Sequence, residues 1–202
     1  SELTFEEHIW GKVKTANKIV GLIRRNFGEA GAQSLMTIYK TMVRPHLEYA
    51  QVVWSPYKGK LVEALEKVQK RATKLIPGFG KFGYEERLRR LNLPTLVYRR
   101  WRGDMITTFR IMNGLCDDGC GPDLVKSGYA ATRGHTEKLY MQQSRTSRRK
   151  HSFSLRVVEP WNALPPAVIE AKTVDSFKAR LDIHMESRDL IYDYRKLLGM
   201  AK

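Results

Sequence analysis

The sequence predicts an all-α protein: a helical bundle followed by a basic, loop-rich segment and C-terminal helices. Three observations carry that expectation. Apolar residues recur at 3,4 spacing over long stretches, no convincing period-two alternation interrupts them, and Gly/Pro-rich turns separate the stripes. The clearest element is expected over residues 59–76, where Leu61, Leu65, Val68, Ala72, Leu75 and Ile76 form one stripe. Lys67, Lys70, Arg71 and Lys74 fall on the opposite side at the same spacing. One flank therefore suits a protein core and the other a polyanion.

Taken in order, the first helix should open at Thr4, an N-cap that makes a capping box with Glu7. Ile9, Val13, Ala16, Val20, Ile23 and Phe27 continue it as an apolar stripe, with Lys12, Lys18, Arg24 and Arg25 mostly off that stripe. Gly28 and Gly31 punctuate. Leu35, Ile38, Tyr39, Met42 and Val43 predict a second helix, which Pro45 should break or kink by restricting Arg44. Residues 46–54 are apolar enough to resume a helix or to cross the core, ahead of the 59–76 helix. Residues 77–83 form a turn-rich break, and a short helix is expected through Tyr84–Leu88. Pro94 then stands where a first helical position belongs, followed by Tyr98, Trp101, Met105, Phe109 and Met112 on one face.

Composition shifts at Asn113-Gly114, so the expected organisation is a bundle over 1–113 and a basic C-terminal segment over 114–202. Residues 115–130 read as a Gly/Asp/Pro loop. Residues 133–156 carry Arg133, Lys138, Arg145, Arg148, Arg149, Lys150 and Arg156 against the single acid Glu137. Phe153, Val157, Val158, Trp161, Leu164 and Ile169 can dock onto a core. Thr173 can cap a helix bearing Val174, Phe177 and Leu181, and Leu190, Ile191, Tyr194, Leu197 and Leu198 predict a terminal helical stripe.

Among 202 residues, 42% hydrophobic and 28% charged is the balance of an ordinary globular chain, which excludes wholesale disorder. A net charge of +15 self-repels unless an anion neutralises it, and its gathering into stripes and clusters points to nucleic acid. Two cysteines imply no disulfide scaffold and a reducing, intracellular setting, nucleus or cytoplasm. No apolar run approaches the roughly 18 residues that span a bilayer, so no membrane partner is expected. The chain opens on Ser1, as a piece of something longer would.

No catalytic constellation emerges. Cys116, Cys120 and His135 invite a zinc site but lack a fourth ligand. Asp117-Asp118 could hold magnesium only on a rigid hairpin with a third carboxylate, and it lies instead in a turn-rich loop. His46, His135 and His151 have no nucleophile set beside them, and no glycine-rich phosphate loop occurs. What remains is binding: basic residues interleaved with aromatics at Tyr98-Arg99-Arg100-Trp101-Arg102, where Trp101 reads as core, and the cluster at 145–150, which has no apolar competition.

The run Tyr39-Lys40-Thr41-Met42-Val43-Arg44-Pro45-His46-Leu47-Glu48-Tyr49, continuing to Val53-Trp54-Ser55-Pro56-Tyr57, resembles the region just after the palm in reverse transcriptases of non-LTR retrotransposons. These are the LINE elements, the jockey-like ones in particular. Similar motifs follow in order: Leu65-Glu66-Lys67-Val68-Gln69-Lys70-Arg71-Ala72, Tyr84-Glu85-Glu86-Arg87-Leu88, Arg99-Arg100-x-Arg102-Gly103-Asp104, Arg133-Gly134-His135, Arg149-Lys150-x-x-Phe153-x-x-Arg156-Val157-Val158 and Trp161-Asn162-x-Leu164-Pro165. Leu3–Ile9 resembles the exit from the palm. The resemblance implies a thumb, a helical bundle that grips the template–primer duplex, plus a C-terminal segment that helps hold element RNA or target DNA during target-primed reverse transcription. The catalytic aspartates and their Mg²⁺ would lie upstream of Ser1, so this chain is expected to bind rather than catalyse and to need no cofactor. Its partners would be RNA, DNA or their hybrid, and the palm of the same polyprotein. The nucleic-acid-binding residues expected from charge and motif together are Lys67, Lys70, Arg71, Lys74, Arg99, Arg100, Arg133, His135, Lys138, Arg145, Arg148, Arg149, Lys150 and Arg156. The alternative expectation is a stand-alone or domesticated protein-interaction module derived from such an element.

Overall fold

The computed structural model describes residues 5–116, 122, 124–128, 134–186 and 190–197. Among them the protein is all-α, with one isolated antiparallel bridge between Lys126 and Leu139. Two compact units form: residues 1–100 with 190–202, and residues 101–189. The division falls inside helix α7 (Leu96–Met112), whereas the composition changes at Asn113-Gly114.

The first unit is built on α1 (Glu6–Asn26) and α5 (Gly59–Lys74). Ile9, Val13, Ala16, Val20 and Ile23 are buried as their spacing requires, while Phe27 stays exposed because the helix ends before it. Thr4 lies outside the described residues; the N-cap position is taken by Phe5, which offers no side-chain cap. Glu6 at the start of α1 pairs with Lys58 at 3.2 Å and with Lys60 at the start of α5, and Arg71 meets Asn17 farther along. The two helices therefore run parallel, with their C-terminal ends together. Between them, Leu61, Leu65, Val68 and Ala72 of α5 enter the core, each buried Leu contributing about 1.5–3 kcal/mol. Exposed pairs such as Arg89–Glu85 and Arg90–Glu86 are worth only about 0.3–0.5 kcal/mol each, so apolar burial decides this unit.

Pro45 does not break the chain's helical path. Helix α2 (Ala32–Ile38) runs into a π-helical turn, Tyr39–Val43, and then into α3 (Arg44–Glu48), with Arg44 at φ −60°, ψ −37°. The wider turn absorbs the donor that proline lacks. It also shifts the phase of the stripe, so that Tyr39, Val43 and Leu47 are buried and Met42 faces out. Ala50, at φ 54°, reverses the chain into α4 (Gln51–Trp54), whose Trp54 Nε1 donates to the Tyr49 carbonyl at 2.7 Å.

Helix α6 (Tyr84–Arg90) closes on Asn92 at φ 45°, with Leu93 N–H reaching the Leu88 carbonyl at 2.9 Å and Asn92 N–H the Arg89 carbonyl at 3.1 Å. That is a Schellman end, with asparagine tolerating the left-handed position that glycine usually fills. Pro94 lies two residues ahead of α7; Thr95 is its cap, accepting from the Tyr98 N–H at 3.1 Å. The terminal stripe expected over 190–198 reduces to one turn, α13 (Tyr194–Leu197), preceded by non-helical residues 190–193 that bond back through Ile191 O to Thr95 N–H at 3.1 Å. Leu198 lies outside the described residues.

The second unit gathers Trp101–Met112 of α7, α8 (Ser147–Lys150), α9 (Phe153–Arg156), α10 (Val158–Asn162), α11 (Pro166–Ile169) and α12 (Val174–Glu186). Its centre is aromatic: Phe109 stacks on Phe177 at 4.4 Å, and Trp161 lies 6.0 Å from Phe177. Phe153, Val157, Val158, Leu164 and Ile169 are buried around them, as expected. Thr173 caps α12 by accepting from the Ser176 N–H. Gly114, at φ 63°, ends α7 in a second Schellman arrangement, Leu115 N–H to the Arg110 carbonyl at 2.8 Å.

Candidate nucleic-acid interface

The helix α5 that buries its apolar flank also carries a cationic one. Lys67, Arg71 and Lys74 are exposed, at a spacing that places them on one side of the helix. Arg71 is steadied by donating to Asn17 Oδ1 on α1. Arg24, exposed in the last turn of α1, joins this group because the parallel packing brings the two C-terminal turns together. Arg24 is absent from the expected set: its neighbours belong to another helix, and nothing within α1 marks it out from Arg25.

Lys70 is engaged within the fold. Its ammonium donates to Glu63 at 3.1 Å and to Tyr194 Oη at 3.2 Å, and lies 5.2 Å from the ring centres of both Tyr84 and Tyr194. It staples the C-terminal turn to α5 instead of facing outward. Arg99 is engaged likewise, in a two-pronged pair with Glu48 that also draws in Arg44 at 3.6 Å. Arg100 is buried beside Glu66.

Glu66 and Gln69 carry no functional signal in the sequence, because a charged or amide side chain inside an amphipathic helix normally faces water. Here both are fully buried. Tyr39 donates to Gln69 Oε1 at 2.6 Å, and Gln69 Nε2 donates to Tyr84 Oη and to the Pro94 carbonyl, each at 3.0 Å. Tyr84 donates to Glu66 Oε2 at 2.7 Å, and Val97 N–H to Glu66 Oε1 at 2.9 Å. Burial pushes the Glu66 carboxyl above its ordinary range, against the pull of Arg100 and these donors. The same desolvation raises the Tyr39 and Tyr84 hydroxyls well above theirs. The network holds α5, α6 and the start of α7 in one arrangement, which is what positions the exposed flank.

In the second unit the motif residues turn inward. Arg156 makes two bonds to Asp104, 2.8 and 3.0 Å, and a third to the His151 carbonyl at 3.3 Å. Arg102 pairs with Asp182 at 2.5 and 2.7 Å. His135 is buried, donating through Nε2 to the Trp161 carbonyl at 3.1 Å with its ring edge-on to the indole. Trp161 Nε1 donates to the Glu137 carbonyl at 2.7 Å, and the Asn162 amide bonds both the N–H and the carbonyl of Leu139, each at 2.8 Å. The pair Trp161-Asn162 thus straps an extended segment, 135–139, onto the core. Phosphate contact by Arg156 or His135 would need these bonds broken.

Lys138 is half-buried within that segment. Arg145, Arg148, Arg149 and Lys150 are exposed on and before α8, whose N-cap Thr146 accepts from the Arg149 N–H. Among the described residues the Arg149 guanidinium donates to the neutral Gln142 Oε1, at 3.2 Å. Burial first, and then Lys150 and Arg156, hold the His151 imidazole below its ordinary range. Arg133, Asp117, Asp118 and Cys120 lie outside the described residues. Cys116 is a free thiol, and among the described residues no group of His, Cys, Asp or Glu is placed to hold a metal. No described helix is long and apolar enough to cross a membrane.

The expected set therefore separates. Lys67, Arg71 and Lys74 in the first unit, and Arg145, Arg148, Arg149 and Lys150 in the second, remain on the surface. No family model matches the chain, and no curated protein or solved structure matches it.

Proposed function

We propose that this chain is a nucleic-acid-gripping module, similar in role to the thumb and C-terminal region of a LINE-type reverse transcriptase and acting by binding rather than by bond chemistry. One observation carries the reading: Arg24, Arg71 and Lys74 gather at the joined ends of α1 and α5 with no carboxylate engaging them among the described residues. The exposed α8 cluster supports it from the second unit. Cations so placed neutralise phosphates and release counterions, giving affinity without base reading.

A salt titration against an RNA–DNA duplex tests it. The slope of log K against log salt should be steep, about −0.9 for each phosphate neutralised. Reversing Arg148, Arg149 and Lys150 together should flatten the slope by about 0.9 for each phosphate that is no longer neutralised. A flat response, or no binding at low salt, would falsify the reading.

A second reading, a protein-interaction module derived from such an element, draws on the α3–α4 corner, where Tyr49 is 75% and Val53 64% exposed. A protein partner recovered after nuclease digestion, and lost on changing Tyr49 and Val53 to serine, would favour it.

A further inference from the structure

The meeting point of α1 and α5 is concave as well as basic. Arg24 from the last turn of α1 and Gly28 just beyond it, Leu35 from α2, and Arg71 and Lys74 of α5 with Leu75 directly after it line a cavity of about 500 Å³. That volume falls within the range of small-ligand sites, about 300–1,000 Å³. The lining is of two kinds. Leu75 is half-buried and Leu35 wholly so, which gives the cavity an apolar wall; Arg24, Arg71 and Lys74 are exposed cations on the same concavity.

Basic residues in a last helical turn are ordinarily explained by the helix dipole. Here the magnitudes argue for a surplus. Two helix C-termini present together about one negative charge, in partial charges of about half a unit each, against three full positive charges. Arg71 is held in place by Asn17, a neutral partner that fixes the guanidinium without neutralising it. Arg24 and Lys74 have no hydrogen-bonded or ion-paired partner among the described residues. A groove for backbone alone would need only cations. A cavity with cations beside an apolar wall suits a ligand with a phosphate at one end and an uncharged ring face at the other.

We infer that this cavity binds one phosphorylated nucleoside, with the phosphate among Arg24, Arg71 and Lys74 and the base or sugar face against Leu75 and Leu35. The inference rests on the nucleic-acid reading above and deepens it. The same chemistry is offered by a free nucleoside monophosphate and by the phosphorylated end of a strand.

The full chain is titrated with adenosine 5′-monophosphate, and with one single strand carrying either a 5′-phosphate or a 5′-hydroxyl. Saturable monophosphate binding is expected, weakened about tenfold or more by Lys74→Glu and by Arg24→Glu but unchanged by charge reversal at the exposed Lys172, Lys172→Glu, since a charge-assisted phosphate contact is worth a factor of that order. Preference for the 5′-phosphorylated strand by a similar factor, lost in both cavity variants, assigns the site to strand ends; equal strand affinities with monophosphate binding intact assign it to free nucleotides. Absence of monophosphate binding in the wild type, or binding indifferent to both cavity variants, overturns the inference. Both positions are exposed, and a thermal melt matching the wild type establishes that each variant is folded. Failure of the cavity is distinguishable from failure of the wider reading: wild-type strand binding that stays salt-dependent and weakens in both cavity variants, with no monophosphate bound, leaves the grip intact and removes only the pocket.

Discussion

Arg156 offers the sharpest separation of a phosphate ligand from a structural cation. Its side chain is 15% exposed and that of Asp104 10%, and the two form a doubly bonded pair inside the second unit. Removing one partner strands the other charge away from water. Asp104→Ala should therefore cost about 3–5 kcal/mol, and Arg156→Met about the same. Replacing both by apolar residues, Asp104→Leu with Arg156→Met, removes the pair and its desolvation together and should cost little, since such swaps are often neutral or stabilising by about 1–4 kcal/mol. Urea denaturation of the wild type, the two single variants and the double variant gives the coupling energy directly. The salt titration is then run on the folded double variant. If Arg156 acts inside the fold, the slope stays at the wild-type value. A double variant as unstable as the sum of its parents would refute the pairing argument. A stable one whose slope flattens by about 0.9 would show that Arg156 touches phosphate after all.

Two further outcomes are expected. The carboxyl of Glu66, raised by burial above the ordinary 4.5, binds a proton more tightly in the folded state, so its contribution to stability is fully present below about pH 4.5 and is lost as pH rises through the folded value. Urea midpoints measured from pH 4 upward should show the wild type losing ground to Glu66→Gln; a wild-type advantage that grows with pH would contradict the burial argument. Asn162→Ala leaves both backbone groups of Leu139 without a side-chain partner and should cost about 1–3 kcal/mol, with faster hydrogen exchange at the Leu139 amide. An unchanged exchange rate there would mean that the Trp161-Asn162 strap does not hold the segment.

Much of the architecture could be read directly from residue order. The stripes of α1 and α5 are buried where their 3,4 spacing placed them, because side-chain direction along a helix is fixed by a period of 3.6. The Thr173 cap and the end of α7 at Gly114 follow from equally local chemistry. The exposure of Lys67, Arg71 and Lys74 belongs to this group too, being the reverse side of the α5 stripe. Where a local signal met a longer-range demand, it was overruled: the π-helical turn before Pro45 rephased the second stripe and turned Met42 outward.

What no pattern along the chain could decide was which cations are spoken for. Arg99 finds Glu48, Arg102 finds Asp182 and Arg156 finds Asp104, each across 51 to 80 positions of sequence. The sequence alone determined that positive charge would be abundant and that part of it would flank greasy helices. Tertiary packing determined which charges were neutralised inside the units and which were left at the C-terminal ends of α1 and α5. The physical reason is that charge pairing depends on distance through space, over a few ångströms, and helix periodicity carries no information about which distant carboxylate will arrive within that reach.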